Sequence, residues 1–196
     1  MNDTGVDKSK ITKYLGILRE LQIIERIVPI TEKHPKKSRN GIYKIKDNYF
    51  KFWFRFIFEN TNYVEQNKQE LLLKEKILPE LNSFFGRTFE DISLQFLKDN
   101  KIYPNFLFGR WWDKKDEIDI LGISNKEKKV IFGEVKWKNL SKKEAEQIIF
   151  QLNEKSKKAD IPDNFTKNFM IIAKKIEEKK ELAKSGAIIY ELKDVI

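Results

Sequence analysis

Two short stretches hold the residues whose types and spacing suggest chemistry: Glu117-Ile118-Asp119-Ile120 and Glu134-Val135-Lys136. Each is an acid-bearing segment of alternating character, and the turn signal Ser124-Asn125-Lys126-Glu127-Lys128 lies between them. A hairpin centred between Lys126 and Glu127 sets Asp119 opposite Glu134, Leu121 opposite Phe132 and Ile123 opposite Val130. On its reverse side Ile118 meets Val135 and Ile120 meets Gly133, so apolar faces apolar on both surfaces, as a stable register requires.

The same register puts two carboxylates directly across from each other, which is destabilising unless a cation lies between them or one stays protonated. Lys136 shares their face one step along, with Glu117 opposite it. With oxygen donors and neither Cys nor His in the set, the cation expected is hard, Mg²⁺ or Mn²⁺. Such an ion polarises a phosphodiester and activates a water, and Lys136 would orient that water or neutralise developing charge. The bland alternative is a Glu117–Lys136 salt bridge, with Asp119 and Glu134 solvated at the end of a sheet.

These residues need elements to hold them. A helix over Thr88–Lys98 gathers Phe89, Ile92, Leu94, Phe96 and Leu97 on one apolar arc, and Glu90 falls inside it while Asp91, Gln95, Lys98 and Asp99 take the other side. A glutamate within a buried arc needs a partner, and a metal held by Asp119 and Glu134 is one. Strands are expected near Phe106–Trp112, Glu117–Ile123 and Lys129–Trp137, then a helix opened by a Ser141/Glu144 capping box and running to about Lys155. A strand at Asn168–Ala173, a helix near Ile176–Ala183 and a strand at Ala187–Leu192 follow. The strands are apolar on both faces, so the fold class is α/β (α+β), a mixed sheet flanked by helices on both sides.

The N-terminal part differs in character. Ile11, Tyr14, Leu15, Leu18 and Leu21 recur at helical spacing behind an N-cap at Asp7, and Lys8, Ser9, Lys10, Thr12, Lys13 and Arg19 form the outward face. A strand over Ile23–Ile30, a basic loop with Lys33, His34, Lys36, Lys37 and Arg39, and a strand over Ile42–Ile45 come next. A helix followed by a hairpin with a cationic tip is the back half of a winged helix–turn–helix. DNA contact through Lys8, Ser9, Lys10, Thr12, Lys13, Lys36, Lys37 and Arg39 stands beside plain packing with solvated lysines as an equal alternative. Asn48–Asn60 is dense in aromatics, with Lys51 and Arg55 among them; it reads as a core or seam rather than as a base-stacking platform. Glu65–Leu81 reads as helix. The expected division is 1–47, a partial winged helix; 48–82, an aromatic helical linker; and 83–196, the sheet domain.

Composition narrows the chemistry further. In 196 residues there is no Cys and one His, which excludes disulfides, iron–sulfur clusters, thiolate zinc and most Ser–His catalysis. A net charge of +9 favours polyanionic partners such as DNA, though only as a general attraction. Neither a membrane-spanning apolar run nor a signal peptide is present, and the expected location is the cytoplasm.

Asp119 after Ile118, then Glu134-Val135-Lys136, behind a helix with Phe89-Glu90, resembles the PD-(D/E)XK nuclease superfamily over about Phe84–Leu192. The usual proline before the aspartate is replaced by Ile118. The resemblance implies a restriction-endonuclease-like fold in which Asp119 and Glu134 ligate metal, Lys136 is the catalytic lysine, Glu90 an auxiliary acid and metal neighbour, and Gln151 an accessory polar residue.

A narrower resemblance spans most of the chain. It rests on Asp7-Lys8-Ser9-Lys10, Lys13-Tyr14-Leu15, Pro29-Ile30-Thr31-Glu32-Lys33, Tyr43-Lys44-Ile45-Lys46-Asp47, Phe52-Trp53-Phe54-Arg55-Phe56 and Gly109-Arg110-Trp111-Trp112, together with the two acidic strands. These are similar to an archaeal and bacterial AAA-type ATPase family, in its truncated-looking winged helix and uncharacterised C-terminal domain. The chain has no phosphate-binding loop, so no ATP site is expected in it, and an ATPase domain or subunit becomes an expected partner. The leading expectation is a metal-dependent, DNA-acting nuclease-like domain; the alternative is a non-catalytic DNA-binding or regulatory fragment of an ATPase system.

Overall fold

The computed structural model describes residues 7–196, which divide into two compact units. Of the described residues, one comprises 7–28 together with Ser38–Glu80; the other comprises Pro29–Lys37 and Leu81–Ile196.

In the first unit, helix α1 (Lys8–Glu20) starts at an Asp7 N-cap whose carboxylate accepts the Ser9 N–H at 2.7 Å, satisfying a donor that a helix start leaves free. Strands β1 (Ile24–Ile27) and β2 (Ile42–Ile45) pair antiparallel, Ile24 with Ile45 and Ile27 with Ile42. The helical region after them opens at α2 (Asn48–Phe52), capped by Asp47, and passes through a π-helical turn, Trp53–Ile57. Short helices α3 (Thr61–Glu65) and α4 (Gln69–Leu72) follow, so the single helix expected over Glu65–Leu81 is interrupted. The break falls where Asn67 takes φ +56°, a left-handed conformation that asparagine tolerates better than most residues. A second π-helical turn, Leu73–Ile77, leads into α5 (Leu78–Asp99), ten residues longer at its start than the sequence suggests.

The second unit is built on a five-stranded sheet: β3 (Leu107–Trp112), β4 (Glu117–Ser124), β5 (Lys129–Leu140), β6 (Thr166–Ile176) and β7 (Ile188–Glu191), adjacent in that order. β3, β4 and β5 form an antiparallel meander; β5, β6 and β7 are parallel. The parallel steps are made through α6 (Lys142–Ser156) and α7 (Lys179–Lys184), and the chain ends in the short α8 (Leu192–Val195). Ser141 and Glu144 make the reciprocal capping box expected at the start of α6.

Both faces of the sheet are buried. On one, Leu121, Phe132 and Ile171 pack with Ala145, Ile148 and Leu152 of α6 and Leu182 of α7. On the other, Ile120, Ile131, Met170 and Ile172 pack with Phe89 and Leu97 of α5 and with α8. This is the mixed, helix-flanked α/β sheet that the doubly apolar strands imply. Among the described residues no helix is long and apolar enough to cross a membrane.

One segment departs from the sequence reading. The strand expected over Ile23–Ile30 stops at Ile27, and Pro29–Lys37 is compact with the sheet instead. Ile30 donates its N–H to the Arg110 carbonyl at 2.9 Å on the open edge of β3. Its side chain lies over Gly109, where an added Cβ would come within 2.9 Å of the Ile30 Cβ. The loop that reads as the tip of a free wing is therefore in part an edge cover for the sheet, one of the ways proteins protect an unpaired strand.

Candidate active site

The register of the β4–β5 hairpin is the one the sequence implies: Ile120 pairs with Gly133, Leu121 with Phe132 and Ile123 with Val130. Paired residues end at Ile120–Gly133, one step short of the acids, whereas β5 stays paired with β6 through Glu134, Val135 and Lys136. Beyond the last pair, the Asp119 carboxylate accepts the Val135 N–H at 2.9 Å, so a side chain takes the place of a backbone rung.

The cause lies on the other side of β4. Gly109 pairs with Leu121 and Trp111 with Ile118, so two steps along β3 match three along β4. Asp119 and Ile120 share the space opposite Arg110 as a β-bulge, a device that re-aims side chains and ends regular pairing. Strict alternation, which put Ile118 and Ile120 on one face, therefore fails: Ile118 packs with Leu121 on the α6 face, and Ile120 packs on the α5 face. The bulge also overturns the expected Glu117–Lys136 opposition. Glu117 is exposed and pairs with Trp112 of β3, while Lys136 donates to Glu134.

Charges gather around this point. Lys136 Nζ is 2.7 Å from Glu134 Oε1, and Lys155 Nζ, from α6, is 3.4 Å from Glu134 Oε2. On the α5 side, Arg110 reaches Glu90 at 2.7 Å and Asp91 at 3.0 Å. Asp119, 8% exposed, sits within the fields of both groups. Burial first, then the negative charges of Glu134 and Glu90, push its carboxyl up to about 7, against the opposing pull of the Val135 N–H and Lys136. Lys136 is held above its ordinary value: burial opposes this, but the bond to Glu134 and the charges of Asp119 and Glu90 outweigh it. Four acids thus meet three fixed cations, and Asp119 is the acid left without one.

Asp119 and Glu134 are the residues here that could hold a hard divalent cation. Both donors are oxygens, one is buried with no cation in direct contact, and Mg²⁺ commonly takes one or two carboxylates and keeps waters. The three-acid ligand set with Glu90 is not assembled: among the described residues no three His, Cys, Asp or Glu side chains are grouped closely enough to hold an ion. The physical reason is Arg110, which supplies the partner that Glu90's place in the apolar arc demands. Asp91, expected on the outward side, shares the same guanidinium.

Arg110 and Lys155 are the site residues that sequence reasoning missed. Arg110 stands beside two tryptophans in a strand, where only the bulge opposite turns it toward α5. Lys155 is the last-turn lysine of a lysine-rich helix, with no local mark to set it apart. Gln151, one turn earlier on α6, is exposed.

Of the expected DNA-contacting residues, Ser9, Lys10, Thr12 and Lys13 are exposed on α1, but the Ser9 hydroxyl is engaged by Asp7. Lys8 begins α1, and its side chain lies outside the described part. Lys36 and Lys37 are exposed within the edge-covering segment of the second unit, whereas Arg39, also exposed, belongs to the first.

Known proteins share parts of this chain. Residues 53–148 match the DUF234 family, described as archaeal and bacterial proteins of unknown function. An uncharacterised protein of Methanocaldococcus jannaschii, MJECL04, is 37% identical over 198 residues, covering 98% of this chain and 43% of the relative. The chain thus spans less than half the length of that relative. A repair endonuclease from Pyrococcus abyssi aligns at a TM-score of 0.37 and 16% identity, over 53% of this chain and 46% of its own, a likeness too partial to support a conclusion.

Proposed function

We propose that the sheet unit is a metal-dependent nuclease domain that hydrolyses phosphodiester bonds in DNA. The observation that carries this reading is the meeting of Asp119, Glu134 and Lys136 where β4 leaves β5, with Asp119 buried and left without a cation. Asp119 and Glu134 would hold Mg²⁺ or Mn²⁺, which supplies Lewis acidity and lowers the pKa of a bound water.

The chain's own residues do the rest. The Val135 N–H fixes one Asp119 oxygen and so its orientation. Lys136, anchored on Glu134, has two further N–H donors for a phosphoryl oxygen or the attacking water. Water oxygen attacks phosphorus, the bond to the leaving ester oxygen breaks, and that oxygen takes up a proton. Glu90, held by Arg110, acts one step removed, through its charge on Asp119 and Lys136. The exposed lysines of α1 and of the Pro29–Lys37 segment are suited to the DNA backbone, where contacts are ionic and salt-dependent. An ATPase domain or subunit as partner, and a cytoplasmic setting, belong to the same reading.

A second reading is favoured by a specific feature: Glu90, Asp91 and Glu134 are already neutralised by Arg110, Lys136 and Lys155, so the cluster can serve as a self-compensated scaffold. The two separate in one assay. Purified protein is incubated with supercoiled plasmid and Mg²⁺ or Mn²⁺, beside Asp119→Ala and Lys136→Ala. The nuclease reading expects metal-dependent cleavage reduced roughly 100-fold or more in each variant. Cleavage that survives both substitutions, or none with either metal, overturns it.

A further inference from the structure

Glu134 is gripped from two sides. Its Oε1 takes Lys136 from its own strand, and its Oε2 takes Lys155 from α6, on the helix layer that covers this face of the sheet. Its side chain is 12% exposed and that of Lys155 24%, so this contact is largely withdrawn from water and weakly screened. One ammonium is enough to neutralise one carboxylate. A second, brought from a different element, brings the cluster to three cations against four acids; without it the acids would exceed the cations by two, beside the place where a phosphodiester would have to sit.

We infer that Lys155 is a positioning residue of the proposed nuclease site, fixing Oε2 of Glu134 and lending its charge to an incoming nucleic-acid phosphate. The inference rests on the nuclease reading and makes two demands of opposite sign. A cation beside a ligand carboxylate weakens the hold of that carboxylate on a divalent metal. The same cation strengthens the hold on an anion. Removing it must therefore tighten metal binding and loosen DNA binding together, whereas simple damage to packing would weaken both.

The test uses the full chain with Lys155→Gln and Lys155→Arg. Mn²⁺ affinity is read by titration calorimetry with MnCl2 alone, and DNA affinity by anisotropy of a fluorescein-labelled duplex in Ca²⁺. For Lys155→Gln, Mn²⁺ binding should tighten and duplex binding weaken, each by roughly threefold to tenfold, with Lys155→Arg close to the parent in both. No change in either quantity for Lys155→Gln makes Lys155 a surface charge and overturns the inference while leaving the nuclease reading intact. Loss of both affinities with no rescue by arginine also overturns it, as a structural role. If the parent protein binds neither Mn²⁺ nor duplex, the nuclease reading itself fails and takes this inference with it.

Discussion

The two units reach order by different means. In the sheet unit, strands are closed off on both faces, and Phe132, Leu121, Ile171 and Leu152 lose essentially all contact with water. In the helix-and-hairpin unit, the buried hydrophobics among the described residues are Phe56, Leu72 and Ile77, while Tyr14, Leu21, Tyr49 and Phe58 stay more than half exposed. Its aromatic rings contact one another at one-turn spacing instead, Phe50 with Phe54 at 6.4 Å and Phe54 with Phe58 at 5.5 Å. The first design excludes water and so makes charges strong; the second keeps its cations in solvent, where only a polyanion with many contacts would feel them. On the proposed reading, that difference would suit chemistry to the sheet unit and adhesion to the other.

The largest effect should come from the sheet core. Phe132→Ala removes a fully buried ring that stacks near Phe169 at 6.0 Å, and should cost about 3 to 5 kcal/mol. Urea unfolding followed through Trp111, Trp112 and Trp137, all in this unit, is the measurement. A cost under about 1 kcal/mol would mean that the face is loosely packed and the contrast between the units false.

The next effect concerns charge within that dry environment. Asp119 has a folded pKa raised to about 7, so the folded state binds its proton more tightly than the unfolded chain does. Its contribution to stability is full below the ordinary carboxylate value and is lost as pH rises through about 7. Asp119→Asn keeps an acceptor for the Val135 N–H but removes the buried charge. The variant should therefore gain on the parent between pH 5 and pH 8, by roughly 2 to 3 kcal/mol from about two pH units of linkage. Paired urea melts at the two pH values give the number; an unchanged gap would show that Asp119 is solvated and that the acids do not meet in a low-dielectric pocket.

What could be read in advance divides along the same line. The hairpin register, the capping box at Ser141 and the order of the sheet elements were legible because each depends on residues close in sequence: alternation, a turn signal, a hydroxyl three residues before a glutamate. The β4 bulge was not legible, because it arises from fitting β3 to β4, and no residue type at Asp119 or Ile120 marks it. With it went the faces of Ile118 and Ile120, the place of Glu117 and the partners of Glu90. Arg110 and Lys155 find their carboxylates across sequence separations of 20 and 21 residues, beyond what periodicity reports. The α1 stripe shows the converse: Ile11, Tyr14, Leu15 and Leu18 have helical spacing and do form a helix, with Leu21 as its C-cap, yet Tyr14 and Leu21 remain exposed. Periodicity locates a helix and its apolar side, but burial requires a surface to receive it.

That point sets the smallest effect, which bears most directly on the contrast. Tyr14 is 57% and Leu21 62% exposed, so truncating either removes little buried area and opens no cavity. Tyr14→Ser and Leu21→Ser should each change stability by no more than about 0.5 kcal/mol, the usual range for surface positions. Trp53, the tryptophan of this unit, is half-buried and serves as the probe in thermal and urea melts. A loss above about 1.5 kcal/mol in both variants, at protein concentrations where the chain is monomeric, would require a receiving surface within the chain itself. A loss that appears only as protein concentration rises would instead require that surface on a second molecule, because only an intermolecular contact follows mass action.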